Sequence, residues 1–267
     1  MRLTLTGAPV LEADGIRLEV REFGGRKLRL LLAVLVLERH RPMHRDEIAD
    51  VLWPGNLPTT WAPALRGLVS KVRMLLTATG EPAGGAVTQA FGSYQMELPP
   101  PVDVDVESAA SEVERAERAL RAGEYADACT AAVAAASIVR RPFLAGEEGR
   151  WVERQRLLLQ SLQTRALHVL GEGRLERGQL ERALSAATEA IRVAPFNDAG
   201  HRQLMRAHAA AGNWAEALRD YERYRALLVE ELGVDPSPDT QSLYLELLRD
   251  LQSFPSRCAP QRGSASA

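Results

Sequence analysis

A seven-residue phrase recurs three times in the second half of the chain: Gly123–Cys129 (GEYADAC), Gly178–Leu184 (GQLERAL) and Gly212–Leu218 (GNWAEAL). The last two glycines lie 34 residues apart, the period of a stacked helix–turn–helix repeat. That constrains the fold severely. Each phrase must supply a turn and the start of a second helix, and its alanines must let paired helices approach closely. The first two glycines are 55 residues apart, so an irregular insertion belongs between them, placed at Arg140–Arg150 around Arg141-Pro142-Phe143-Leu144-Ala145-Gly146. Beyond Pro99-Pro100-Pro101 the chain is dominated by Ala, Leu, Arg and Glu, all good helix formers.

The final repeat shows its packing face most clearly, in Trp214, Ala217, Leu218, Tyr221, Tyr224 and Leu228. Gly233 is placed to close that helix, Pro236 and Pro238 to enforce a break, and Asp239–Leu251 to form a capping helix. Residues 107–252 are therefore expected to form an all-α, tetratricopeptide-like repeat domain, whose concave surface suits peptide or protein partners. Residues 253–267, rich in Ser, Ala, Pro and Gly, read as a disordered tail.

The first half has a different grammar. Arg2–Thr6, Val10–Glu12 and Arg17–Val20 read as strands, the last two separated by Asp14-Gly15. Arg26 to about Arg39 reads as a helix apolar on most of its surface; a buried strand is the alternative for its apolar run. A second helix is expected over Arg45–Leu52, stopped by Trp53-Pro54-Gly55, and a third over Trp61–Leu76. Leu65, Leu68, Val69, Val72, Leu75 and Leu76 define its buried stripe; Arg66, Ser70 and Arg73 gather opposite, with Lys71 on the flank. Val87–Phe91, a Gly92-Ser93 turn and Tyr94–Leu98 read as a hairpin. Strands, three helices and a hairpin in that order suit a winged helix-turn-helix over residues 1–98, the third helix entering the major groove. An ordinary amphipathic surface helix with three solvated cations is the bland alternative. The Pro-rich segment 99–106 reads as a linker.

Charge adds to this. The 267-residue chain carries a formal −2, but residues 1–100 carry +2 and the remainder −4. No acid occurs between Asp50 and Glu81, while Arg66, Lys71 and Arg73 all lie there, so that stretch can approach phosphates without repelling them. Charged residues at 25% and hydrophobic ones at 46% are an ordinary globular balance. Cys129 and Cys258 cannot make a disulfide framework, and the longest apolar run, Leu30–Leu37, is far too short for a membrane span. The N-terminus meets charge too early for a signal peptide, so a cytoplasmic protein is expected, nucleoid-associated on the DNA-binding reading. No phosphate loop, zinc-protease motif or nucleophile elbow is present. His201 and His208 read as a surface pair, Glu147-Glu148 as solvated and Cys129 as a small core residue. No cofactor, metal site or enzymatic activity is expected.

Four segments carry a resemblance. They are Gly24-Gly25-Arg26-Lys27-Leu28-Arg29-Leu30-Leu31-Leu32, Asp46–Trp53, Leu68–Arg73, and Tyr221–Pro236 with its ending Leu232-Gly233-Val234-Asp235-Pro236. In this order, over about residues 2–250, the chain resembles the Streptomyces antibiotic regulatory protein family. These are transcriptional activators with a response-regulator-type winged helix and a bacterial transcriptional activation domain. The resemblance implies an activator that sits on promoter-proximal direct repeats, recruits RNA polymerase, self-associates as a homodimer or higher oligomer on DNA, and serves a specialised-metabolite gene cluster. It implies DNA contacts at Arg66, Ser70, Lys71 and Arg73, with Arg73 on phosphate and Arg66 or Lys71 at base edges. The wing would add Thr88, Gln89 and Ser93. The loop Pro54, Gly55, Asn56, Leu57 and Pro58 would meet polymerase. Two departures stand out: Trp61-Ala62-Pro63 where the family carries a polar or basic residue, and a wing with no cation. Both weaken the expected phosphate grip. The rival reading is a helical-repeat interaction module whose winged domain has weak or lost DNA binding.

Overall fold

The computed structural model describes residues 1–19, 24–78, 86–98 and 100–253. The chain divides into two compact units. One comprises residues 1–118 with 130–166; the other comprises 119–129 with 167 onward.

The first unit opens with three short antiparallel strands, β1 (Arg2–Thr4), β2 (Val10–Ala13) and β3 (Ile16–Glu19). Leu3 faces Leu11 across the β1–β2 pair, and both are buried. Helix α1 (Arg26–Leu37) buries Leu28 and every residue from Leu30 to Val36. A helix apolar on nearly all sides must cross the middle of a core, so the buried-strand alternative is excluded. A two-residue strand β4 (Met43–His44) leads into α2 (Arg45–Leu52), whose first amides are capped by the His44 ring at Asp46 N. Helix α3 (Trp61–Ala78) buries Leu65, Val69, Val72 and Leu76. The hairpin strands are β5 (Val87–Ala90) and β6 (Ser93–Met96), and β6 lies between β4 and β5 in a three-stranded sheet.

The hairpin turn is Phe91-Gly92, one residue earlier than Gly92-Ser93. The register pairs Ala90 with Ser93, which leaves those two as the loop. Tyr94 and Met96 must both be buried, and alternation along β6 fixes that register.

The described part of the expected linker, residues 100–106, does not run free. Asp103–Val104 forms β7, parallel to β1, so that the first sheet runs β3-β2-β1-β7. Asp105 then opens α4 (Asp105–Arg121) and turns its carboxylate back into the sheet. Its oxygens accept from Leu5 N, Thr6 N and Thr6 Oγ1 at 2.9, 3.0 and 2.6 Å. Further helices are α5 (Tyr125–Val139) and α6 (Arg150–Glu176). The irregular segment expected near Arg140–Arg150 lies between them. It is tied down rather than solvated at Glu147, which is buried and bonded by Arg26 Nε at 3.0 Å. An acid beside a second acid reads as solvated in sequence, but a cation from a distant helix overrides that. The core of this unit unites α1, α3 and both sheets with Val139, Phe143, Trp151, Val152 and Leu159.

The second unit contains α7 (Leu180–Val193), α8 (Asp198–Ala210), α9 (Trp214–Leu232) and α10 (Pro238–Ser253). Neighbouring helices pack in sequence order, and α10 also reaches α8. This is the expected paired-helix arrangement. Gly178 and Gly212 sit at the inter-helix turns with φ of 67° and 78°, left-handed values that a side chain resists. Met205, Ala217, Tyr221 and Leu247 form one core cluster, with Tyr221 stacked on Tyr244 at 4.0 Å. His201 is not a surface residue. It is buried, stacked on Tyr224 at 3.7 Å and bonded to Pro195 O at 2.8 Å. Burial lowers its pKa from the ordinary histidine value. Cys129 is a buried free thiol. The tail expected over 253–267 lies, from residue 254, outside the described residues.

Candidate nucleic-acid interface

The exposed arc of α3 is built by subtraction. At 100° per residue, burying Leu65, Val69, Val72 and Leu76 leaves Pro63, Gly67, Ser70 and Met74 along the middle of the outward face. Arg66 and Lys71 stand at opposite margins of that arc, about 140° apart. The arc carries no acid. Its middle is small or apolar, and a Cβ added at Gly67 would meet nothing within 4 Å. Such a face can come close to a base-pair edge while cations on either side reach phosphates.

Arg66, Ser70 and Lys71 are all exposed. Arg73 is not on the free face. It is half-buried, and its Nε and Nη2 donate to Val87 O at 3.0 and 2.7 Å. The guanidinium thereby fastens α3 to the hairpin. Helical spacing alone puts Arg73 near Arg66, but it cannot show a carbonyl waiting across the sheet.

Several other cations of this unit are held by partners. Arg39 grips Glu107, and Arg41 is held by Glu38 and Glu47. Arg41 holds the Glu47 carboxyl below its ordinary pKa. Lys27 donates to Leu52 O at 2.6 Å and lies over the Trp53 ring; burial lowers its pKa. Arg66 and Lys71 make no ion pair among the described residues. On α3 that difference separates the candidate phosphate contacts from Arg73 better than helical spacing does.

In the hairpin, Thr88 is half-buried with its hydroxyl 3.4 Å from Gln95 O, Gln89 is exposed and Ser93 is half-buried. The loop Pro54, Gly55, Asn56 and Leu57 is exposed and Pro58 half-buried; Trp61 N closes it on Pro58 O at 3.0 Å. Two residues escaped the sequence reading. Arg45, half-exposed, lies 6.0 Å from the Trp61 ring centroid, and its amide donates to Gly92 O at 2.9 Å. Phe91, at the hairpin tip, is wholly exposed. The sequence signal for Phe91 was its place beside a glycine between two alternating strands. No cluster of metal-ligating side chains occurs among the described residues, and none of their helices is long and apolar enough to cross a membrane.

Three helices with a hairpin fastened to the third, followed by paired helices, define a winged helix joined to helical repeats. Residues 104–248 match the model of the bacterial transcriptional activator domain, and the chain belongs to that family, among the Streptomyces antibiotic regulatory proteins. The regulatory protein AfsR of Streptomyces coelicolor is 30% identical over 85% of this chain and 22% of its own length. The transcriptional regulator RedD of the same organism is 26% identical over 83% of this chain and 64% of its own. The transcriptional regulatory protein EmbR of Mycobacterium tuberculosis is 26% identical over 93% of this chain and 61% of its own. The chain thus spans under a quarter of AfsR and less than two thirds of EmbR or RedD. The solved structure of Mycobacterium tuberculosis EmbR in complex with a low affinity phosphopeptide superposes with a TM-score of 0.83 at 24% identity, over 93% of this chain and 65% of that one. The likeness establishes the same fold.

Proposed function

We propose that this chain is a DNA-binding transcriptional activator whose α3 lies in the major groove. The observation that carries the reading is the acid-free exposed arc of α3, small in its middle and bordered by Arg66 and Lys71, which form no ion pair among the described residues. In this reading the two cations hold phosphates on either side of the groove, and Ser70, Gly67 and Met74 face the base edges. Arg73 serves the interface indirectly, by fixing the hairpin. Gln89, Thr88 and Ser93 supply neutral donors to the backbone from the wing. The loop Pro54–Pro58 and the helical repeats contact RNA polymerase, and protomers bind side by side on direct repeats. The protein works in the cytoplasm on nucleoid DNA, at genes of a specialised-metabolite cluster.

Two phosphate-holding cations per protomer predict a shallow salt dependence, about −0.9 in log K against log salt for each phosphate neutralised. Tandem binding doubles it. The test is fluorescence anisotropy with duplexes from the chain's gene neighbourhood, at several salt concentrations, against random competitor. Selective binding that Arg66→Ala with Lys71→Ala abolishes supports the reading. Selective binding indifferent to both changes, or no binding at low salt, refutes it. In the latter case the function passes to the helical repeats as a protein-interaction module, a reading that the cation-free wing favours.

A further inference from the structure

The hairpin tip is built against its own interest. Phe91 and Gly92 join β5 to β6 with φ of 49° and 79°, the two-residue turn in which both positions are left-handed. Gly92 suits that turn, and Asn, Asp or Gly is the usual choice for the first position. An aromatic residue there meets steric resistance from its own Cβ. Nor does the fold gain burial in return, because Phe91 is 103% exposed. The turn is nevertheless firmly braced. Gly92 O accepts from Arg45 N at 2.9 Å, His44 pairs with Ser93, and a Cβ added at Gly92 would come within 3.1 Å of His44 Nε2. Arg73 ties the base of the same hairpin to α3. A bare aromatic ring is thus projected from a rigid support joined to the reading helix, on a wing that carries no cation.

We propose that Phe91 is an apolar wedge that enters the minor groove beside the segment read by α3 and partly unstacks one base step. Minor-groove proteins use such side chains between base pairs to kink the duplex. The ring would select a flexible pyrimidine–purine step at a fixed distance from the α3 site, giving specificity through deformability rather than hydrogen bonds. This rests on the DNA-binding reading above and adds what a wing without cations contributes. A wedge neutralises no phosphate, so its removal lowers affinity at every salt concentration without changing the salt slope. Removing Lys71 changes the slope.

The experiment uses the full chain and a duplex that the wild-type chain enriches from a random library, with 2-aminopurine placed in turn at the steps flanking the selected site. Wild type is expected to brighten the probe at one pyrimidine–purine step. Phe91→Asn is expected to abolish the brightening and weaken binding about tenfold, the scale of one aromatic–base stack, with the salt slope unchanged. Its thermal midpoint should not fall, because Asn accepts the left-handed turn position. Phe91→Trp should retain the brightening, which a merely structural role would not require. The proposal is overturned if Phe91→Asn binds and brightens like wild type, or if wild type binds selectively without brightening any step. Unchanged DNA binding with lost promoter output would also overturn it, assigning the ring to a protein partner. If the library yields no bound duplex at low salt, the DNA reading falls and the wedge with it.

Discussion

Replacing Asp105 by Ala should unfold the first unit at markedly lower denaturant, although Asp105 lies far from α3. Asp105 is 8% exposed, and its carboxylate is the acceptor for three buried donors: the amides of Leu5 and Thr6 and the Thr6 hydroxyl. Leu5 is 2% exposed and Thr6 wholly buried, so water has poor access to the stranded groups. Each buried donor left without an acceptor costs about 1–3 kcal/mol. Removing the carboxylate also recovers some of its own desolvation cost, so the net is set at about 3–4 kcal/mol. With a urea slope of about 2 kcal/mol per molar, the midpoint falls by about 1.5–2 M. Tryptophan fluorescence reads this cleanly once Trp214 is replaced by Phe, because Trp53, Trp61 and Trp151 all belong to the first unit. Arg141→Ala is the control. It removes only a half-exposed guanidinium 3.4 Å from the same carboxylate and should cost under about 1 kcal/mol. If Asp105→Ala stays within about 1 kcal/mol of its parent, the donors have found other partners and the reasoning fails.

Three further outcomes are expected. Arg73→Ala should raise amide exchange in β5 and β6, at a cost of about 1–2 kcal/mol, and leave the DNA salt slope intact; a slope reduced by one with exchange unchanged would return Arg73 to the phosphates. Gly171→Ala should destabilise the second unit by about 1–3 kcal/mol, because a Cβ there would lie 2.2 Å from the fully buried Gln203 side chain, itself bonded to His168 O; an unchanged melting curve would show that Gln203 moves aside freely. Stability of the second unit should decline as pH falls below 6.5. His201 is held neutral by burial, so its folded pKa is depressed, and the unfolded chain takes up the proton first. His201→Phe keeps a ring for the Tyr224 stack and should flatten that decline; an identical pH profile would place the titration elsewhere.

Local sequence pattern was enough to place the helices and most of the strands. The apolar run within Arg26–Arg39 favoured a central helix over a buried strand by its length, the stripe Leu65–Val69–Val72–Leu76 pointed to an amphipathic helix, and glycines 34 residues apart to a repeat of paired helices. These are local facts, since periodicity and turn chemistry act over a few residues. It also gave the acid-free stretch that holds Arg66 and Lys71. Which of these cations find partners among the described residues depends on packing. Arg66, Lys71 and Arg73 look alike along the chain, yet Arg73 meets Val87 O from strand β5 while the other two are exposed. Glu147 and His201 read as surface residues until Arg26 and Tyr224 arrive from elsewhere in the chain. The segment 99–106 reads as a spacer, but parallel pairing of Asp103–Val104 with β1 and the reach of Asp105 to Thr6 make residues 103–105 part of the first unit. Sequence patterns report how each element divides between water and core. Pairings across a hundred residues depend on which surfaces the packed core brings together, and no local pattern encodes that.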